Sequence, residues 1–523
     1  MSITDRGLRI AGLSLVVASG VAPALAAQPC AALRQFQIPG HAVRIDSAQD
    51  VPAGTLPPAP NAPPGTPATA VPAHCRVDGV IDDRQGVDGK PYGIGFAIAL
   101  PADWNGRLLF QGGGGLNGAV NPPLGAQYAG EKSALAQGFA VASTDSGHKG
   151  TGFDATFFQD QLATLNFLYQ GVAQTTVVAK AIVNAHYGKP QDHAYFVGCS
   201  TGGREAMMMS QRFPLYFDGI VAGAPAMRTN FSNLALRSAT TALNVIAPRD
   251  ASGKPQTNAA LSAADRKLVV DGALAACDAL DGRKDGLIFA PQSCRFDPGT
   301  LACTGAKTER CLTSEQANAV RIAMNGPKTT SGRQVYPGFY YDTGIGASGR
   351  GLPGLLAGPV IPEGAPAGTT FDVDAAAAEA MDARAMAGDS QAWTNLSSFQ
   401  GHGGKLIFFH GVSDPWFSSQ DTVQYYERLE RAMTAIPLDS WSRLFLVPGM
   451  GHCSGGERTL DRFDMLSAIV AWVENGRAPE RVVATGTSMA GESRPLCPFP
   501  QHAQFGGQGD PQAAASYACA TPR

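Results

Sequence analysis

The sequence predicts an α/β protein: a mostly parallel sheet with helices on both faces, interrupted by a long insertion. Three observations carry this. Short apolar runs alternate with helix-forming segments from about residue 93 to 222, the pattern of successive β-α units. Residues 227–400 break that pattern, being rich in Ala, Gly and Pro with four closely spaced cysteines. Sheet-like runs then return at Lys405-Leu406-Ile407-Phe408-Phe409 and Arg443-Leu444-Phe445-Leu446-Val447.

Taken in order, the N-terminus reads as an export signal. Arg6 and Arg9 precede the short apolar stretch Ile10 to Val21, and Ala24-Leu25-Ala26 is an A-x-A cleavage site. The stretch is too short to span a bilayer comfortably. Residues 1–26 are therefore assigned as a signal peptide, and the mature chain as secreted or periplasmic. Residues 51–73 carry no periodic pattern and are expected to run extended on the surface, held by Cys30 and Cys75.

From Arg76 the pattern becomes strand-like. Gly93 to Leu100 alternates small and large residues, and Pro101 ends the run. Arg107-Leu108-Leu109-Phe110 leads into Gln111 and the tetraglycine Gly112 to Gly115. Phe139-Ala140-Val141-Ala142 is a third run. Thr175 to His186 places Val178, Ile182 and Ala185 on one helix face. Ala194-Tyr195-Phe196-Val197 is a buried-type strand, Arg204 to Arg212 a helix and Gly219-Ile220-Val221-Ala222 a strand.

Composition narrows the function classes. Hydrophobic residues at 44% support a buried core, and charged residues at 16% exclude a disordered or coiled-coil chain. A net charge of -3 gives no reason to expect nucleic acid or an anionic membrane as partner. Ten cysteines in an exported chain imply five disulfides. Short loops favour Cys277 with Cys294, Cys303 with Cys311 and Cys497 with Cys519. Cys30, Cys75, Cys199 and Cys453 remain.

The chemistry concentrates at Gly198-Cys199-Ser200-Thr201-Gly202-Gly203, between a strand and a helix. This fits the G-x-S-x-G elbow, where small residues allow a tight turn exposing a serine hydroxyl. A hydroxyl needs a base. His452 follows one late strand and Asp414 the other, giving the chain order Ser, Asp, His of α/β-hydrolases. The expected fold is thus an α/β-hydrolase with a large inserted lid. The catalytic domain occupies 27–226 and 401–523, the lid 227–400. His410, four residues before the acid, is the rival histidine and is read as substrate-facing or structural. Asp145 and His148 are read as a hydrogen-bonded loop.

The tetraglycine lacks the Gly-Lys-Ser/Thr of a phosphate loop. It suits an oxyanion loop, in which Gly113 or Gly114 acts with the Thr201 N–H. Asp278, Asp281 and Asp285 lie within eight residues. A solvated turn and a Ca²⁺ loop both suit that spacing.

Together these residues resemble the tannase and feruloyl esterase family. The resemblance rests on Gly198 to Gly203, Asp414, His452-Cys453, Pro72 to Val77, Trp104-Asn105-Gly106-Arg107 and the tetraglycine. It implies a Cys199–Cys453 bridge beside the triad. It also implies a structural Ca²⁺ in the lid, held by the side chains of Asp278, Asp281 and Asp285 and the carbonyls of Arg283 and Leu287. The implied activity is a serine carboxylesterase acting on galloyl, feruloyl or chlorogenate esters. The alternative substrate is mono(2-hydroxyethyl) terephthalate or a related aromatic diacid monoester. A non-catalytic binding protein on the same fold is the rival class. The expected partner is a small aromatic ester, gripped by Phe417 and by the lid aromatics Tyr336, Phe339, Tyr340 and Tyr341 unless these form lid core. Arg350 is the expected contact for a free carboxylate.

Overall fold

The computed structural model describes residues 27–56, 68–346, 348–355 and 368–522. The export signal read at 1–26 lies outside the described residues. One sheet organises the chain. Its strands are β1 (Val43–Val51), β2 (His74–Gln85), β3 (Pro91–Pro101), β4 (Arg107–Gln111), β5 (Ala140–Thr144), β6 (His193–Cys199), β7 (Gly219–Gly223), β8 (Lys405–Gly411) and β9 (Ser442–Val447). Their spatial order is β1-β2-β3-β5-β4-β6-β7-β8-β9. The β1/β2, β2/β3 and β3/β5 pairs are antiparallel, and every later pair is parallel.

Helices cover both faces: α1 (Gly171–Tyr187) follows β5, and α2 (Thr201–Arg212) follows β6. The insertion between β7 and β8 carries α3 (Thr229–Ile246), α4 (Ala263–Cys277) and α5 (Ser314–Asn325). Then α6 (Ser419–Ala432) follows β8 and α7 (Met465–Asn475) follows β9. A strand buried on both faces sends successive side chains into opposite layers. Leu108, Phe196 and Phe408 enter one core with Val178, Ile182 and Met207. Their neighbours Leu109, Val197 and Phe409 enter the other, with Ile469 and Trp472. The insertion has a core of its own, built on Leu243, Val269, Val320, Met324, Tyr336 and Ile345.

The parallel strands begin where the chain doubles back, with β4 between β5 and β6. Ligands in such sheets bind outside the carboxyl ends of the strands, near that reversal. The tetraglycine, Ser200, Asp414 and His452 all follow the carboxyl ends of parallel strands β4, β6, β8 and β9.

Five disulfides join Cys30 to Cys75, Cys199 to Cys453, Cys277 to Cys294, Cys303 to Cys311 and Cys497 to Cys519. Among the described residues of 51–73, Gly54–Leu56 pairs antiparallel with Thr69–Val71, where the sequence shows no periodic pattern. No helix among the described residues is long and apolar enough to cross a membrane.

Candidate active site

The turn from β6 into α2 carries Ser200 with φ 65° and ψ -122°. A non-glycine residue in that conformation persists only where its surroundings hold it. The Ser200 N–H donates to the Gly223 carbonyl, and the Ser200 carbonyl accepts from the N–H groups of Arg204 and Ala226, each at 3.0 Å. The glycines around it are required by close backbone approach. A Cβ on Gly198 would lie 2.6 Å from the Gly202 carbonyl oxygen, and one on Gly203 would lie 2.2 Å from that of Gly223.

Asp414 is buried, while His452 is about a fifth exposed. His452 Nδ1 lies 2.7 Å from Asp414 Oδ2. The carboxylate can only accept, so Nδ1 carries the proton and Nε2 presents a lone pair. Asp414 Oδ1 accepts from the Trp416 and Phe417 N–H groups at 2.9 and 3.1 Å. Burial would push its pKa up, but the two imidazoles on its other oxygen, His452 and His410, hold it well below the usual carboxylate range.

The Cys199–Cys453 bond joins the residue before Ser200 to the residue after His452, with Cα atoms 6.0 Å apart. The Tyr128 hydroxyl donates to the Cys453 carbonyl at 2.8 Å, holding the same turn from a second side. The bond closes a loop spanning 254 residues, worth about 5 kcal/mol at most in the chain-entropy account. Reduction, or Cys199→Ala with Cys453→Ala, is expected to lower both ester turnover and the unfolding temperature. Wild-type turnover after both treatments would show that this bond does not govern the site.

Ser200 lines a cavity of about 500 Å³. Six aromatic rings wall it: Phe153, Phe158, Phe167, Phe231, Trp416 and Phe417. Trp416 and Phe417 stack on each other, and each ring centre lies 5.2 Å from that of His452. Phe417 thus sits where the sequence places it. Trp416 beside it was legible in the same turn and was missed. Phe153 and Phe231 come from distant segments and left no local signal.

Four expectations need correction. Gly113 is not free to bind an oxyanion, because its N–H donates to buried Glu205 at 2.8 Å. The N–H groups of Gly114 and Thr201 have no acceptor among the described residues; Thr201 is the first residue of α2, where N–H groups lack intrahelical partners. His410 does not face substrate: it is fully buried behind Asp414. Arg350 is exposed and does not line the cavity, whereas Arg204, Arg228 and Arg384 do. Tyr336 and Phe339 belong to the insertion core and, with Tyr340 and Tyr341, stand outside the cavity wall.

Arg204 and Glu205 escaped the sequence reading, although both follow the elbow directly. Arg204 is buried and donates to the Leu168 and Phe167 carbonyls. Glu205 is fully buried and accepts from Gly113, Asn117 and Ser146. Of the two loop residues, Asp145 is hydrogen-bonded as expected, whereas buried His148 leaves its Nδ1 without a hydrogen-bond partner among the described residues. Asp145 accepts from the N–H groups of Gly95 and Gly147, while His148 stacks on Phe157 at 3.7 Å. Burial pushes the His148 imidazole down to about 4.

Among the described residues no group of three or more His, Cys, Asp or Glu side chains converges as a ready cation cage. The acidic turn nevertheless has unmet needs. Asp278 and Asp281 are buried, and Asp281 Oδ2 has no hydrogen-bond partner. Burial, with the nearby charges of Asp285 and Asp278, pushes the Asp281 carboxyl up to about 7. Asp285 is already paired with buried Arg494 at 2.7 Å. An orphaned carboxylate oxygen beside further carboxylates suits a hard cation that also takes carbonyl ligands.

The family model for tannase and feruloyl esterase matches residues 75–350 and 369–520. The chain is 39% identical to mono(2-hydroxyethyl) terephthalate hydrolase of Piscinibacter sakaiensis, over 87% of this chain and 86% of that protein. It is 32% identical to a probable feruloyl esterase B-2 of Aspergillus terreus, over 79% of this chain and 80% of that protein. The crystal structure of feruloyl esterase B from Aspergillus oryzae is similar with a TM-score of 0.76 at 26% identity, covering 93% of this chain and 98% of that one. With the elbow, the strand order and more than half of its length in agreement, the chain belongs to the tannase and feruloyl esterase family and is a carboxylic ester hydrolase of α/β-hydrolase fold.

Proposed function

We propose that this protein is an exported serine esterase that cleaves esters of aromatic acids through an acyl-enzyme. The observation that carries this reading is the aromatic cavity opening on Ser200 beside the His452–Asp414 pair. Six rings offer offset and edge contacts to an aromatic acyl group. Export is supported by five disulfides and by the arginine-flanked apolar N-terminus.

In the first half-reaction Ser200 Oγ attacks the ester carbonyl, and its proton passes to His452 Nε2. Asp414 holds Nδ1–H and stabilises the imidazolium. The Gly114 and Thr201 N–H groups would bind the oxyanion. The carbon–oxygen bond to the alcohol then breaks, and His452 returns the proton to the leaving oxygen. In the second half-reaction water gives a proton to His452 and attacks the acyl carbon; the bond to Ser200 Oγ then breaks and His452 returns the proton to that oxygen, releasing the acid and free Ser200.

A fluorophosphonate is expected to form one adduct, at Ser200. No adduct would favour the non-catalytic binding protein. The substrate panel is methyl gallate, methyl ferulate and chlorogenate, the expected phenolic esters, with the mono(2-hydroxyethyl) terephthalate that one relative's name carries. Turnover of aliphatic esters alone would overturn the aromatic reading.

Calcium belongs to the same proposal. Asp278, Asp281 and Asp285 with the carbonyls of Arg283 and Leu287 would hold it, and its charge would satisfy the buried Asp281 oxygen. Its place in the insertion makes the role structural. A chelator is expected to lower the unfolding temperature and added Ca²⁺ to restore it. At 100-fold excess over Kd the ion contributes about 2.7 kcal/mol. An unfolding temperature indifferent to both would remove calcium from the account.

A further inference from the structure

Asp414 holds two histidines on one oxygen. Its Oδ2 lies 2.7 Å from His452 Nδ1 and 3.2 Å from His410 Nε2. His410 Nε2 is also 2.9 Å from the Phe417 carbonyl oxygen. Carboxylate and carbonyl both accept and neither donates, so His410 Nε2 carries a proton. Its Nδ1 lies 2.8 Å from Thr422 Oγ1, a hydroxyl able to donate to or accept from the ring.

We propose that His410 is a positioning residue for the ester hydrolysis, acting through Asp414 and through the Trp416–Phe417 turn. This rests on the Ser200, His452 and Asp414 reading above. The N–H shared with Asp414 draws charge from the oxygen that His452 uses, and so moderates how strongly the carboxylate favours the imidazolium. The N–H shared with the Phe417 carbonyl fixes the turn whose two rings lie against His452. One buried imidazole thus sets both the basicity of the catalytic base and the wall of the acyl cavity.

The neighbouring ionisable groups do not substitute for it. On α6, Asp421 is paired with Arg228 from the insertion. Burial raises the Tyr336 hydroxyl well above its ordinary range, so it stays neutral while accepting from the Ser418 N–H. Buried Asp342 bonds to the Ser413 hydroxyl and the Gly449 N–H rather than to either imidazole.

The sign of the effect follows. Losing the His410 N–H concentrates the Asp414 charge on the His452 N–H, which favours the imidazolium form. Protonated His452 cannot accept the serine proton, so the acid limb of the kcat/KM profile moves to higher pH. His410→Leu is expected to lower kcat roughly 10- to 100-fold through misplacement of the acid, with a smaller rise in KM from the displaced turn. His410→Gln returns an N–H near the same place and should keep most of the activity. Thr422→Val removes the hydrogen-bond partner of Nδ1 and should shift the acid limb in the same direction, which decides the matter if the leucine variant does not fold.

The measurement is the pH profile of kcat and kcat/KM on an aromatic ester, alongside fluorophosphonate inactivation and thermal unfolding. The inference is overturned if His410→Leu, or Thr422→Val in its place, keeps the wild-type acid limb. It is also overturned if the leucine and glutamine variants lose activity equally, which marks a packing role. A wild-type enzyme that resists the fluorophosphonate, or Ser200→Ala that still turns over, would instead defeat the triad reading on which the inference stands.

Discussion

Ser200→Ala is expected to lower kcat on an aromatic ester by about 10⁶-fold while leaving the unfolding temperature near that of the wild type. The backbone anchors of the elbow explain the second half of that expectation. The contacts holding φ at 65° run through the Ser200 N–H and carbonyl, not through its hydroxyl. Alanine meets the same left-handed strain as serine, so the turn loses nothing further. What disappears is the oxygen that forms the acyl bond in the proposed mechanism. The oxyanion donors and the aromatic cavity remain, and they leave a residual rate above that in water. Product release and fluorophosphonate labelling, measured together on the folded variant, test this. Retained turnover would place the nucleophile elsewhere.

Asp414→Asn is expected to lower kcat by about 10⁴-fold. The carboxylate is surrounded by donors: two backbone N–H groups on Oδ1 and two imidazole N–H groups on Oδ2. An asparagine amide carries donors at one of its two positions. Turned one way, its NH₂ faces the Trp416 and Phe417 N–H groups. Turned the other way, it faces both histidines and forces the His452 proton onto Nε2, where it blocks the base. Both orientations oppose the native pattern, so the loss should exceed that of removing one hydrogen bond. Because kcat should fall far more than KM rises, a loss confined to KM would contradict this role for Asp414.

Much of this architecture was legible before any coordinates. The strands around Leu108-Leu109, Phe196-Val197 and Phe408-Phe409 are continuous apolar runs because both of their faces are buried, and such runs read clearly. The elbow was legible because glycine is demanded wherever backbones approach within a Cβ radius, as at Gly198 and Gly203. Chain order then singled out Asp414 and His452. The first strand, Val43–Val51, was missed: its half-exposed edge position imposes only a weak pattern.

Residues whose role depends on which neighbour they meet were not legible. Gly113 and Gly114 are chemically identical, and only the placement of Glu205 decides which N–H is engaged. Arg350 and Arg384 both lie in the insertion, but folding exposes one away from the cavity and brings the other to its wall. His410 and His452 both follow apolar strands. The first ends its own strand inside the core, and the second sits in a loop beyond the strand end, partly open to solvent. By itself the sequence determined the sheet and the elbow and singled out Asp414 and His452 as the candidate acid and base, because these follow from local backbone demands and chain order. The tertiary structure alone decided that His410 lies buried behind Asp414 and which groups line the cavity, since burial and hydrogen-bond partners depend on contacts between segments far apart in the chain.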